Sequence, residues 1–300
     1  MEIVKRFGVW NEVLIIGDPH LGKKIYQKDD SLVFERLETA LKSNENFSSI
    51  IILGDMFDVP SPDFCTIVKT VNVLRKYHNY TNIYVLEGNH DQKKDLSKKR
   101  IFDVLKMMSL PNIHFISHPQ ILDSDTDDLK YLLLPYSDTE EAKEKARNSA
   151  SKIKGDYILF AHLELDETSE DYVKNAKQVF SGHDHTPRVQ NNICWVGSLT
   201  PLDKTQDVEK EVFKTASLEE VLTGNFKDHF VEVFVNKNEK VPEEVYGNVR
   251  ACRIVVVEDD TETAQDFSKT DFYINPLQRF NIYLKDNNLE EIYSEIVNFR

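Results

Sequence analysis

The sequence predicts an α/β protein built on open, largely parallel sheets. Three observations carry this. Short runs rich in Val, Ile and Leu alternate with stretches of helical periodicity through the first two thirds of the chain. Several of those runs are almost continuously apolar, the pattern of strands covered on both faces. The unusual polar residues, histidines above all, cluster where the apolar runs end, the usual place for a site in an open α/β sheet.

The elements follow in order. Val13–Ile16 reads as a strand. Leu32, Leu37, Ala40 and Leu41 then repeat at helical spacing before the strand Ile50–Leu53. Ile67, Val68, Val71, Leu74 and Tyr77 mark a second helix before Ile83–Leu86. Ile101, Val104, Leu105 and Met108 mark a third before Ile113–Ile116. This β-α-β-α-β opening points to a layered fold. Tyr131–Leu134 is a further strand, and Thr139–Ile153, charged with a few alanines, reads as a solvated surface helix. Strands at Tyr157–Phe160, Gln178–Phe180 and Ile193–Val196 complete a first domain, residues 1–205. The character changes near Pro201–Asp207. Beyond it, Ser217 and Glu220 have capping-box spacing before a short helix closed by Gly224. Phe230–Val235 and Arg253–Val257 read as strands, and Leu289, Ile292, Tyr293, Ile296 and Phe299 fall on one helical face. Residues 206–300 are expected to form a small second domain.

The 300 residues carry 51 acids against 37 bases, a formal charge of −14. The imbalance is mild over 1–205, with 31 acids and 26 bases, and steep over 206–300, with 20 and 11. The sign argues against passive coating of nucleic acid but not against a local basic strip or a metal-bridged phosphate. Cys65, Cys194 and Cys252 form no CxxC pair, which fits a reducing compartment rather than a disulfide framework. No run of 18 apolar residues occurs and the N-terminus lacks signal-peptide features. A cytoplasmic protein with no membrane partner is expected.

Five segments share one composition: Gly17-Asp18-Pro19-His20, Gly54-Asp55-Met56-Phe57-Asp58, Gly88-Asn89-His90-Asp91, Ala161-His162 and Gly182-His183-Asp184-His185. Each follows a predicted strand. Residues i and i+2 of extended chain project to one side, so Asp18 with His20, and His183 with His185, each aim two donors into one space. Taken singly, each segment reads as a turn or a half-buried histidine. Together they hold five of the nine histidines, and they supply seven donors, Asp18, His20, Asp55, Asn89, His162, His183 and His185. A two-metal site needs roughly six to eight. Carboxylate, amide and imidazole together suit manganese, iron or zinc rather than calcium. His90 is left over beside Asn89 for acid chemistry.

These segments resemble the five motifs of the calcineurin-like metallophosphoesterase family over about residues 10–200. Asp18-Pro19-His20-Leu21-Gly22 is similar to the start of the SbcD-type nuclease subunits, and Gly197-Ser198-Leu199-Thr200-Pro201 to their closing loop. The spread of His162-Leu163-Glu164-Leu165 and the motifs after it most resembles the subunit of T4-like bacteriophage recombination nucleases, which would place the protein in a host cytoplasm. The resemblance implies a four-layer αββα sandwich with a small C-terminal α+β capping domain. It implies two divalent ions, manganese foremost, one on Asp18, His20, Asp55 and His185, the other on Asp55, Asn89, His162 and His183, with Asp55 bridging. A hydroxide activated by both metals attacks phosphorus in line, and His90 serves the leaving oxygen. Asp91 is expected either to orient His90 or to cap a helix, and Asp58 to support the ligands from behind. Lys23, Lys24, Lys93, Lys94, Lys98, Lys99 and Arg100 follow two of the motifs and are expected to hold DNA phosphates. The implied activity is a manganese-dependent DNA exonuclease or endonuclease of an SbcCD-like recombination and repair complex. Its implied partners are DNA, an SbcC-like coiled-coil ATPase and a second copy of the chain.

Two other classes compete. A small-substrate phosphodiesterase or phosphatase shares the scaffold, although Val59 and Asp91 stand where protein phosphatases of the family carry arginine and glutamate. A non-enzymatic scaffold would be expected to have lost donors, and all seven are present.

Overall fold

A computed structural model describes residues 3–4, 7–10, 13–25, 30–42, 47–77, 81–92, 100–108, 110–123, 129–137, 139–165, 170–207, 212–236 and 239–257. The chain divides into two compact units, Met1–Lys214 and Thr215–Arg300.

Two six-stranded sheets make up the first unit. One holds, side by side, β1 (Ile3–Val4), β2 (Phe7–Trp10), β3 (Val13–Ile16), β4 (Ser49–Ile52), β5 (Asn82–Leu86) and β6 (Ile113–Ile116). From β3 to β6 the strands run parallel, and α1 (Ser31–Lys42), α2 (Phe64–Tyr77) and α3 (Ile101–Met107) cross between them. The other sheet contains β7 (Gln120–Asp123), β8 (Lys130–Leu134), β9 (Tyr157–Ala161), β10 (Gln178–Ser181), β11 (Arg188–Gln190) and β12 (Ile193–Trp195), in the order β11-β12-β10-β9-β8-β7. Its four inner strands are parallel, with β7 and β11 as antiparallel edges. The crossovers are α4 (Glu140–Ala150) and α5 (Asp171–Lys174).

Strand periodicity sorts the apolar side chains into three buried layers. Leu14, Ile16, Ile50 and Ile52 pack with Leu37, Leu74 and Phe102 of the helices. Their alternates Val13, Ile15, Ile51 and Leu53 pack with Leu133, Ile158, Phe160 and Phe180 of the second sheet. Leu132, Leu134 and Leu159 turn the other way, toward Ala146, Tyr172 and Val173. A strand buried on both faces needs apolar residues at every position, which is why β3 and β4 read as continuous runs. Helix, sheet, sheet, helix is the expected α/β sandwich. α4 buries only Ala146, as its charged sequence suggested, and starts at Thr139, whose hydroxyl accepts from the Ala142 N–H.

The strands that sequence reading missed lie mainly at edges. β7 and β11 are almost entirely exposed, so no apolar period marks them. In the second unit, β14 (Phe226–Asn236) lies between β13 (Phe213–Ser217) and β15 (Val249–Val257), with α6 (Leu218–Thr223) and α7 (Glu244–Asn248) alongside. Val221, Val231, Val233 and Val245 form its core. The capping box is present: Ser217 Oγ accepts from Glu220 N–H, and Glu220 from Ser217 N–H. The helix expected through Leu289 to Phe299 lies outside the described residues.

Candidate metal centre

Parallel strands release their chains at one end, so the C-termini of β3, β4, β5, β9 and β10 bring five motifs together. The glycines make the approach possible. A Cβ on Gly88 would lie 2.1 Å from the Asp55 nitrogen, and one on Gly182 would lie 2.4 Å from Asp18 Oδ1. His20, Asp55 and His183 all adopt left-handed backbone, φ 47, 43 and 71°. Such conformations cost energy for residues with a Cβ and persist where the surroundings impose them.

The seven expected donors converge. His20 Nε2 lies 3.0 Å from His185 Nε2 and 3.7 Å from Asp55 Oδ2. Asn89 Oδ1 lies 2.8 Å from His162 Nε2 and 3.0 Å from His183 Nδ1. Asp55 stands between the groups, its Oδ1 3.4 Å from His162 Nε2. Asp18 Oδ1 is 3.3 Å from His162 Nδ1. Asp18, His20 and His162 are fully buried and Asp55 nearly so. His90 joins them: its ring meets His20 edge-on at 4.9 Å, and ligand atoms of His20, Asp55 and His90 lie within 4.8 Å of one another.

The electrostatics describe a site with charge still to be balanced. Burial alone would keep His162 neutral, but Asp55 and Asp18 outweigh it and raise the ring to about 10. Burial takes His20 down to about 3, opposed by Asp55 and reinforced by His185 and His90. Burial would raise Asp55, yet His162 and His20 hold it below the usual carboxylate range. Both carboxylate oxygens of Asp18 are buried without a hydrogen-bond donor among the described residues. A buried carboxylate is tolerated where a cation faces it, a need that a protonated His162 at 3.3 Å or a bound divalent ion would each meet. His162 Nδ1 lies 2.9 Å from the Leu53 carbonyl, the backing that metal-binding histidines use to free the other ring nitrogen. The donor set therefore fits divalent cations.

The calcineurin-like phosphoesterase family matches residues 12–187, more than half of the chain. The chain belongs to the calcineurin-like phosphoesterase family. Members hydrolyse phosphoesters with divalent metal ions, and the buried donors above are of the kind that holds them. The chain is also similar to the DNA double-strand break repair protein Mre11 of Saccharolobus solfataricus, 30% identical over 118 residues. That stretch is 37% of this chain and 30% of the relative, so the chain spans under a third of that protein. Among solved structures, the Pseudomonas putida nuclease MPE is similar at 17% identity and a TM-score of 0.35, over 63% of this chain and 73% of that one.

Around this phosphoesterase centre, other expected residues find different places. Among the described residues, the Asp91 carboxylate has backbone partners in place of the His90 ring. It accepts from the backbone N–H groups of Met56, Phe57 and Gly88, at 3.2, 3.0 and 2.9 Å. His90 is instead held by Asp58, whose carbonyl lies 2.7 Å from Nδ1. Asp58 also puts Oδ1 3.6 Å from His20 Nδ1 and 3.2 Å from Lys23 Nζ. Lys24 is exposed. Arg100 pairs with the fully buried Glu87 at 3.0 Å and keeps 25% of its side chain exposed. Lys93, Lys94, Lys98 and Lys99 lie outside the described residues. Sequence reading missed Tyr136, whose ring stacks on His183 at 5.8 Å, and Gln206, whose Nε2 lies 3.3 Å from His185 Nδ1. Tyr136 stands just past the end of β8 and obeys the strand-end rule that found the motifs; Gln206 has no local signal.

Proposed function

We propose that the chain is the metal-dependent DNA nuclease subunit, an exonuclease or endonuclease, of an SbcCD-like recombination and repair complex. The observation that carries this is the convergence of seven donors from five strand ends, in a chain similar to a protein named for double-strand break repair. Asp18, His20, Asp55 and His185 would hold one ion and Asp55, Asn89, His162 and His183 the other, manganese at both. When bound, such a pair activates a water and offsets charge on the phosphate oxygens. The protein's own part is orientation. The Asp58 carbonyl fixes His90 through Nδ1, so Nε2 is the atom that exchanges a proton with the leaving oxygen. The Leu53 carbonyl does the same for His162, and Asp91 clamps the turns that carry Asp55 and Asn89. Residues 206–300 would act as a cap helping to hold DNA and dock an SbcC-like ATPase, with a homodimer as the assembled form. No helix among the described residues is long and apolar enough to cross a membrane.

The test is hydrolysis of linear duplex and single-stranded DNA with manganese, with and without the ATPase. DNA degradation is expected, and His90→Ala should keep its metal while losing roughly 100-fold or more in rate. An active His90→Ala protein contradicts the assigned role. One observation favours a second reading, a small-substrate phosphodiesterase or phosphatase: Lys23 and Arg100 are both paired with carboxylates of the protein. Hydrolysis of a small aryl phosphate ester without DNA cleavage would select it.

A further inference from the structure

A groove of about 620 Å³ opens beside the metal centre, within the roughly 300–1,000 Å³ of ligand pockets. Asn89 forms part of its wall at the centre, Tyr136 lies along it, and Arg100, Ser117, His118 and Lys145 also line it. None of the donors other than Asn89 lines it, so it is a space of its own leading away from the centre.

Its charge runs against that of the molecule. In a chain of net charge −14, the Ser117–His118 turn is surrounded by cations. Lys106 Nζ donates to Ser117 Oγ. His118 is kept from protonation by burial and then by Lys106, Arg100 and Lys145, with Asp103 opposing. The carboxylates nearby do not cancel this. Glu87 is buried behind Arg100 and holds the guanidinium in place, and Asp103, 3.5 Å from Arg100 Nε, is itself 39% exposed. Glu141 pairs with Lys145 at 2.7 Å, but the two side chains are 77% and 55% exposed, and such pairs open cheaply. Tyr136 adds a half-buried ring already stacked on His183. Cations spaced from an aromatic platform are what a single nucleic-acid strand needs: phosphates on the former, a base on the latter.

We propose that this groove binds the strand that continues from the scissile phosphate, with a base on Tyr136 and the next phosphate held by the charges of Arg100 and Lys145 and by a ring N–H of His118. The inference rests on the nuclease reading and deepens it: the preferred substrate is a single strand of several nucleotides rather than an isolated diester.

The experiment compares kcat/KM for a dinucleotide and for a strand of about eight nucleotides, at several salt concentrations, in wild type and in a His118→Ala/Lys145→Ala double variant. Wild type should favour the longer strand by roughly tenfold or more, the size of one stacking or phosphate interaction. The double variant should forfeit that gain through KM, and its salt slope should shrink by about 0.7 for each phosphate it no longer neutralises. If the double variant melts early, Lys145→Gln on the exposed face of α4 carries the same comparison. A variant that keeps both length gain and salt slope overturns the groove. A wild type that hydrolyses a small aryl diester but no DNA of any length overturns the nuclease reading itself, a separate and recognisable outcome.

Discussion

Asp91 belongs to a histidine-bearing motif, yet its carboxylate serves the backbone, accepting N–H groups from Met56, Phe57 and Gly88. Buried donors left unpaired cost about 1–3 kcal/mol each. Asp91→Ala is therefore expected to lower stability by about 3 kcal/mol in urea denaturation, and a loss under about 0.5 kcal/mol would contradict this role. Glu87 makes a pH prediction. Burial pushes its carboxyl up to about 7 from an ordinary 4.5, although Arg100 and Lys106 oppose this. The folded protein thus binds the proton more tightly than the unfolded chain. Its contribution is complete below about 4.5 and is lost as pH rises through about 7. Stability of the metal-free protein should fall across that window, and Glu87→Gln should flatten the fall; parallel curves would count against it. At this scale the sequence showed the donors because six of the seven sit in short motifs with histidine and Asp55 follows a glycine as Asp18 does. It could not show that Arg100, the last base of a run, faces inward to Glu87, since that pairing spans separate elements.

Among the elements, the strand ends decide the site. Gly88, two residues past the end of β5, lies against the turn after β4, where a Cβ would press on the Asp55 nitrogen at 2.1 Å. Backbone cannot yield as a flexible side chain can, so Gly88→Ala should displace Asp55 and Asn89 together. Manganese affinity, measured by calorimetry, is expected to fall by roughly 10–100-fold, as it does when the groups that orient metal ligands are removed. Unchanged affinity would mean that the close approach is not needed. Interior strands were legible because burial on both faces demands apolar residues throughout, as in Val13–Ile16. β11 was not, because all three of its residues are exposed.

On the scale of the whole molecule, the first unit stacks two sheets and two sets of helices through three apolar layers, and every candidate donor leaves this frame at one rim. The alternation of helical and strand periods made the layering legible. The orientation of three donors was not, because His20, Asp55 and His183 adopt left-handed backbone that pattern alone does not encode. The overall acidity coexists with a cation-rich groove, so net charge excluded less than local charge reveals. The central claim is that Asp18, His20, Asp55, Asn89, His162, His183 and His185 hold a pair of divalent ions. Anomalous diffraction from crystals grown with manganese tests it most directly. Two peaks flanking Asp55, one beside His20 and His185 and one beside His162 and His183, are expected; no peak at these residues would contradict the claim.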